Sequence, residues 1–168
     1  MRVTFLIFLL AWSASQIAHA ESQYGVMTEH VLARDSAGDE WQLVRGQLVR
    51  VLGKAGGELL VQDKLDPGRT LQVAKLQVLP VSRFRKLSQL AQSCTVSLYI
   101  GECNFRYSAR SNGTYTAEAW CGDVRAKRRS SGALYAFGPY MVARRAGTGT
   151  WEHGFQLDGE GNRTCETP

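Results

Sequence analysis

Along this chain the apolar residues gather in short runs, each broken by glycine or proline before it reaches the length of an ordinary helix. In "WQLVRGQLVRVLGKAGGELLVQDKLDPGRTLQVAKLQVLPV", the runs Leu48-Val49, Val51-Leu52, Leu59-Leu60-Val61 and Leu71-Val73 read as strands. Lys54-Ala55-Gly56-Gly57 and Asp66-Pro67-Gly68 read as the turns between them. Strands of about five residues at this spacing predict a small barrel.

A second pattern lies in "CNFRYSARSNGTYTAEAWC", where Cys103 and Cys121 flank the turn signal Ser111-Asn112-Gly113. A three-residue loop sets Arg110 opposite Thr114. Phe105 then faces Ala119, Tyr107 faces Ala117 and Ala109 faces Tyr115, giving one apolar face. The other face pairs Arg106 with Glu118 and Ser108 with Thr116, both favourable cross-strand neighbours. A two-residue Asn-Gly loop would set polar residues against apolar ones on each face, so the buried face selects the first register. Cys103 and Cys121 are then partners, and Cys94 is left to Cys165.

Between these patterns, "SRFRKLSQLAQS" places Phe84, Leu87, Leu90 and Ala91 at helical spacing, with Arg83, Arg85 and Lys86 on the opposite side. The spacing predicts a short helical connector over 83–93. The N-terminus, "MRVTFLIFLLAWSASQIAHA", has a basic Arg2, an apolar run from Val3 to Trp12 and a small-x-small Ala18-His19-Ala20. It reads as a cleaved signal peptide over 1–20, its apolar run too short to span about 30 Å of hydrocarbon. The expected location is periplasmic or secreted.

Charge sharpens this division. Residues 21–82 carry seven Lys/Arg against eight Asp/Glu, a net of −1, whereas residues 83–168 carry twelve against seven, a net of +5. All four cysteines also lie in the second half. An even count in an exported chain reads as two disulfides, and neither CxxC spacing nor a histidine at ligand spacing supports zinc. The expected organisation is a barrel over 21–82, the connector, and a disulfide-bonded β domain over 94–168.

No catalytic centre is legible. There is no G-x-S-x-G elbow, the cysteines are committed to bridges, and His153 has no evident nucleophile beside it. Glu152, Asp158 and Glu160 could supply paired carboxylates, but their Gly-rich setting reads as turns. Phosphate loops and dinucleotide fingerprints are missing, so neither an enzyme nor a cofactor is expected. The basic run Arg125, Lys127, Arg128 and Arg129, with Arg144 later, suits either an envelope polyanion or a solvated edge that discourages strand aggregation. Nucleic acid is not an expected partner of an exported chain. Asn112 and Asn162 begin N-x-[ST] motifs; the signal peptide has bacterial proportions, under which both are coincidental, whereas a eukaryotic source would make them glycosylation acceptors.

Two resemblances add to this reading. The order "LVRGQLVRVL", "GGELLVQD" and "GRTLQVAKLQVL" resembles bacterial SH3-like domains over residues 24–81. That implies a module binding cell-wall peptides or a protein partner, although only Tyr24 and Trp41 supply aromatic residues for a groove. "SSGALYAFGPYMVARRAGTGTWE", with a terminal cysteine, resembles the C-type lysozyme inhibitors, a family of small disulfide-tied β-barrels. In that family a Ser-Gly-x-x-Tyr loop and a lysine about fourteen residues on enter the lysozyme cleft. Here Ser131, Gly132 and Tyr135 would form the loop, and Arg145 would stand where the lysine does. The family's Trp-x-Lys-Gly signature is missing.

The function expected from all this is a non-enzymatic, all-β envelope protein that binds a wall component or an envelope protein. An inhibitor of lysozyme or another wall-cleaving hydrolase is the alternative. A structural subunit of an envelope assembly is a third.

Overall fold

In the computed structural model, which describes residues 24–64, 67–90, 93–100, 102–122 and 127–156, strands assemble into two sheets whose pairings are all antiparallel. The expected signal peptide lies outside the described residues. Among the described residues no helix is long and apolar enough to cross a membrane.

The first sheet contains β1 (Tyr24–Met27), β2 (Val31–Asp35), β3 (Glu40–Leu43), β4 (Leu48–Ala55), β5 (Glu58–Asp63), β6 (Leu71–Ala74) and β7 (Val78–Pro80), in the order β3-β2-β6-β5-β4-β1-β7. Each apolar run singled out above falls in β4, β5 or β6. Gly56 and Gly57, at φ +58° and +92°, form the two-residue turn joining β4 to β5. Positive φ at both central positions matches the twist of a hairpin and favours glycine. In β6, Leu71 and Val73 are buried while Gln72 and Ala74 are exposed. Met27, Leu43, Val49, Val61 and Val73 fill the core of this sheet.

The second sheet runs β14 (Trp151–Gln156), β13 (Tyr140–Arg145), β12 (Arg128–Phe137), β11 (Thr114–Cys121), β10 (Cys103–Ala109) and β9 (Cys94–Ile100). The β10–β11 register is the one set by the buried face: Cys103 pairs with Cys121, Phe105 with Ala119, Tyr107 with Ala117 and Ala109 with Tyr115. The Cys103–Cys121 disulfide is formed, its Cα atoms 3.9 Å apart. Gly113, at φ +74°, closes the three-residue loop, with Arg110 N–H donating to the Thr114 carbonyl at 2.8 Å. Cys94 is also disulfide-bonded; Cys165, its expected partner, lies outside the described residues. Val96, Leu98, Tyr107, Tyr115, Leu134 and Phe155 pack the inner face.

The connector departs from expectation. Val81–Arg83 form one 3₁₀ turn, and Arg85–Lys86 form β8, paired with Ala136 and Tyr135 of β12. Leu87 N–H then donates to the Leu134 carbonyl at 2.8 Å, and Leu90 N–H to the Ser111 carbonyl at 2.7 Å. A helix of this length gains little by itself. Here the extended chain satisfies its backbone on the neighbouring sheet while Phe84 is buried and Leu87 and Leu90 pack against apolar clusters.

A third cluster joins the halves: Val26, Leu48, Leu79, Val81 and Phe84 meet Tyr140, Val142 and Trp151. This explains why Tyr140, Met141, Val142 and Ala143 are all buried, without the alternation of a one-sided strand. Met141 and Ala143 face the inner core, while Tyr140 and Val142 face the first sheet. Polar contacts cross the same junction. The Tyr140 hydroxyl donates to the Thr28 carbonyl at 2.9 Å, and Arg45 Nε donates to the Tyr140 hydroxyl at 3.2 Å.

Candidate functional site

The first sheet covers the outer face of the second at its β13 end and leaves the β10–β12 part open. On that open part the registers stack polar residues in rungs. Ser97, Arg106, Glu118 and Arg129 form one rung; Thr95, Ser108, Thr116 and Ser131 form the next, with Thr95 buried at its β9 end. In the rung beyond Arg106, Asn104 pairs with Trp120 and with Tyr99, which is 74% exposed. A shallow depression of about 630 Å³ is lined by Arg106, Ser108, Thr116, Glu118, Arg129 and Ser131, among others. Period-two alternation is the local cause: the residues between them, Tyr107, Tyr115 and Ala117, are buried in the core.

The electrostatics of this face centre on Glu118. Lys127 Nζ lies 3.3 Å from its Oε2 and Arg129 Nε 3.5 Å from its Oε1. Lys127 also stands over the Trp120 ring, 5.2 Å from its centroid. Arg106, Thr116, Arg129 and Ser131 are exposed. A flat surface with arginines, hydroxyls and two aromatic rings can hold a chain of polar groups by hydrogen bonds and stacking. Among the described residues it brings together no nucleophile–base pair.

The inner face carries a second polar cluster, around Glu152. Arg145 Nε and Nη2 both reach its Oε1 at 2.7 Å. The Tyr115 hydroxyl donates to Oε2 at 2.5 Å and the Ser130 hydroxyl at 3.2 Å. Lys64, from the first half, donates to the Glu152 carbonyl at 3.1 Å. Burial pushes the Lys64 ammonium down to about 8, with the Arg145 charge adding to the effect against the attraction of Glu152. Burial and the hydrogen bond to Glu152 push the Tyr115 phenol well above its ordinary value. Beside this cluster, the Tyr107 hydroxyl and His153 Nδ1 lie 2.5 Å apart, and the Phe105 ring lies 4.3 Å from the imidazole.

The residues carried over from the inhibitor resemblance are brought close in the backbone but divided between faces. Ser131, Gly132 and Tyr135 lie within strand β12 rather than in a loop. Gly132 is the register partner of Arg145, and its Cα faces the Arg144 carbonyl so closely that a β-carbon would collide with it. Ser131 belongs to the open outer face, whereas Arg145 turns inward to Glu152.

The basic run is likewise divided. Lys127 and Arg129 engage Glu118, and Arg128 is exposed one position away; Arg125 lies outside the described residues. Arg144 is packed on aromatic rings, its guanidinium 4.9 Å from the Trp151 centroid and 5.8 Å from that of Tyr135, and donates to the Gly149 carbonyl at 2.9 Å.

The pairing of Arg106 with Glu118 and of Ser108 with Thr116 follows from the local hairpin; their further partners Ser97 and Thr95 stand on β9, and Arg129 and Ser131 on β12, whose register spans the longer connection after Cys121. Glu152 was weighed only with Asp158 and Glu160, which lie outside the described residues; nothing local links it to Tyr115, 37 positions away. Comparison with protein-family models, with curated proteins and with solved structures finds no match for this chain.

Proposed function

We propose that this chain is an exported, non-enzymatic envelope protein that binds a cell-wall polymer through the open face of β9–β12. The observation that carries this reading is the row of Arg106, Glu118 and Arg129 beside Ser108, Thr116 and Ser131, flanked by Tyr99 and Trp120. A saccharide polymer presents hydroxyls along its edges and apolar C–H groups on its faces, which suit such hydroxyl rows beside the exposed Tyr99 ring and the half-buried Trp120 ring. The first sheet, whose motifs resemble bacterial SH3-like domains, acts in this proposal as the scaffold that covers the rest of the face.

Inhibition of a wall-cleaving hydrolase is the less favoured reading. The cation it would insert into a catalytic cleft, Arg145, is held by Glu152 within the same chain.

Sedimentation with purified peptidoglycan tests the proposal. The wild-type protein is expected to pellet with the polymer, and Tyr99→Ala and Trp120→Ala to remain largely in the supernatant while keeping the wild-type melting temperature. Equal pelleting of all three, or strong lysozyme inhibition by a protein that does not pellet, would exclude this face as the site.

A further inference from the structure

We infer that the ligand of this face carries an anionic group, a carboxylate or phosphate borne on a saccharide polymer, and that Glu118 occupies the place of that group in the free protein. This deepens the wall-binding reading above and rests on it.

The geometry of Glu118 is that of a stand-in. Its carboxylate lies at the centre of the open face, with Lys127 at 3.3 Å and Arg129 at 3.5 Å, and Arg106 as its cross-strand partner on the other side. One carboxylate thus stands among three cations, so that Arg106, Lys127, Arg129 and Glu118 together carry a surplus of two positive charges. Its side chain is 33% exposed, so solvent and a ligand's anion both reach it. Exposed ion pairs of this kind are weak, so the cations can exchange one carboxylate for another at little cost. A neutral polymer would gain only the hydroxyl and ring contacts and would leave the charge surplus uncompensated. An anionic polymer satisfies Arg106 and Arg129 directly and meets Glu118 as a competitor.

Glu118 therefore works against its own ligand. Removing its charge frees Lys127 and Arg129 for the polymer and removes repulsion, whereas removing Arg129 takes away a principal contact. Specificity for an anion over a neutral analogue is then set by the balance between them.

The full-length mature protein, with Glu118→Gln and Arg129→Ala variants, is titrated by calorimetry with polygalacturonate, dextran phosphate and unmodified dextran. Circular dichroism melts verify that each variant folds. Polygalacturonate or dextran phosphate is expected to bind more tightly than dextran. Glu118→Gln is expected to tighten the anionic polymer by about three- to fivefold, and Arg129→Ala to weaken it by at least as much. Raising the salt concentration should narrow all these differences. Preference between the two charged polymers identifies carboxylate or phosphate as the group recognised. Equal binding of dextran and both charged polymers, unchanged in Glu118→Gln, overturns the inference but leaves wall binding standing. Absence of binding to all three by every variant overturns both.

Discussion

Arg145 and Glu152 face each other across the β13–β14 turn, with two guanidinium nitrogens at 2.7 Å from a carboxylate that is almost fully buried. Tyr115 and Ser130 take the second oxygen, so the partners around the carboxylate are all donors, matching the acceptor-only chemistry of an ionised carboxylate. The cluster thereby joins β11, β12, β13 and β14, and through Lys64 the first sheet as well.

Arg145→Ala should destabilise the fold by about 2–3 kcal/mol. Removing one member of a buried pair costs about 3–5 kcal/mol, and the half-exposed position of Arg145 reduces that figure. Arg145→Lys should recover part of it by keeping the charge while losing the two-nitrogen contact. Urea unfolding measures both. A loss below about 0.5 kcal/mol, typical of a surface pair, would remove the cluster's claim to hold the strands together.

Stability should depend on alkaline pH in two opposed phases. The folded pKa of Lys64 is about 8 against an ordinary 10.5, so between these values the unfolded chain binds more protons than the native one. Stability therefore rises with pH from about 8 towards 10. Above the ordinary tyrosine value of 10.0 the sign reverses, because Tyr107 and Tyr115 hold their protons in the fold while the unfolded chain releases them. Lys64→Met should flatten the rising phase and leave the fall in place. The rising phase should amount to about 1 kcal/mol once solvent screening at this partly exposed group is counted.

The Cys103–Cys121 bridge closes a loop of sequence separation 18, for which chain entropy gives about 3 kcal/mol. Replacing both cysteines with alanine should lower stability by that order but preserve the register, since the side chains of β10 and β11 specify it independently. Amide hydrogen exchange reads this directly. Loss of protection across Phe105–Ala109 in a protein that is still folded elsewhere would mean that the bridge itself sets the register.

Trypsin should spare the bonds after Arg83, Arg85 and Lys86 until the whole protein unfolds. Val81 and Phe84 are buried in the cluster shared by both sheets, and β8 is paired to β12. Gly154→Ala should weaken that protection, because a β-carbon there would run into the Gly46 carbonyl at the same junction. Early cleavage at these sites in the native wild-type protein, giving two folded fragments, would mean that each half stands on its own core.

The local hairpins were legible in the sequence for a physical reason. In Cys103–Cys121 a tight turn and two alternating strands leave only one register that buries Phe105, Tyr107 and Tyr115 on the same side, and the structure adopts it. The glycine pair at 56–57 likewise announces its own turn through the φ values it permits.

What lay beyond the sequence were the choices made by distant surfaces. Phe84, Leu87 and Leu90 fit a helix as well as an extended strap, and the strap prevails because β12 offers backbone partners to β8 and Leu87. Arg145, which the resemblance set in a partner's cleft, is held instead by Glu152, and Tyr115 and Ser130 from two other strands gather around that same carboxylate. Periodicity of two assigns a side chain to one face of its own strand; which face another sheet covers, and which remains open for Arg106, Glu118 and Arg129, is decided only when the two sheets pack.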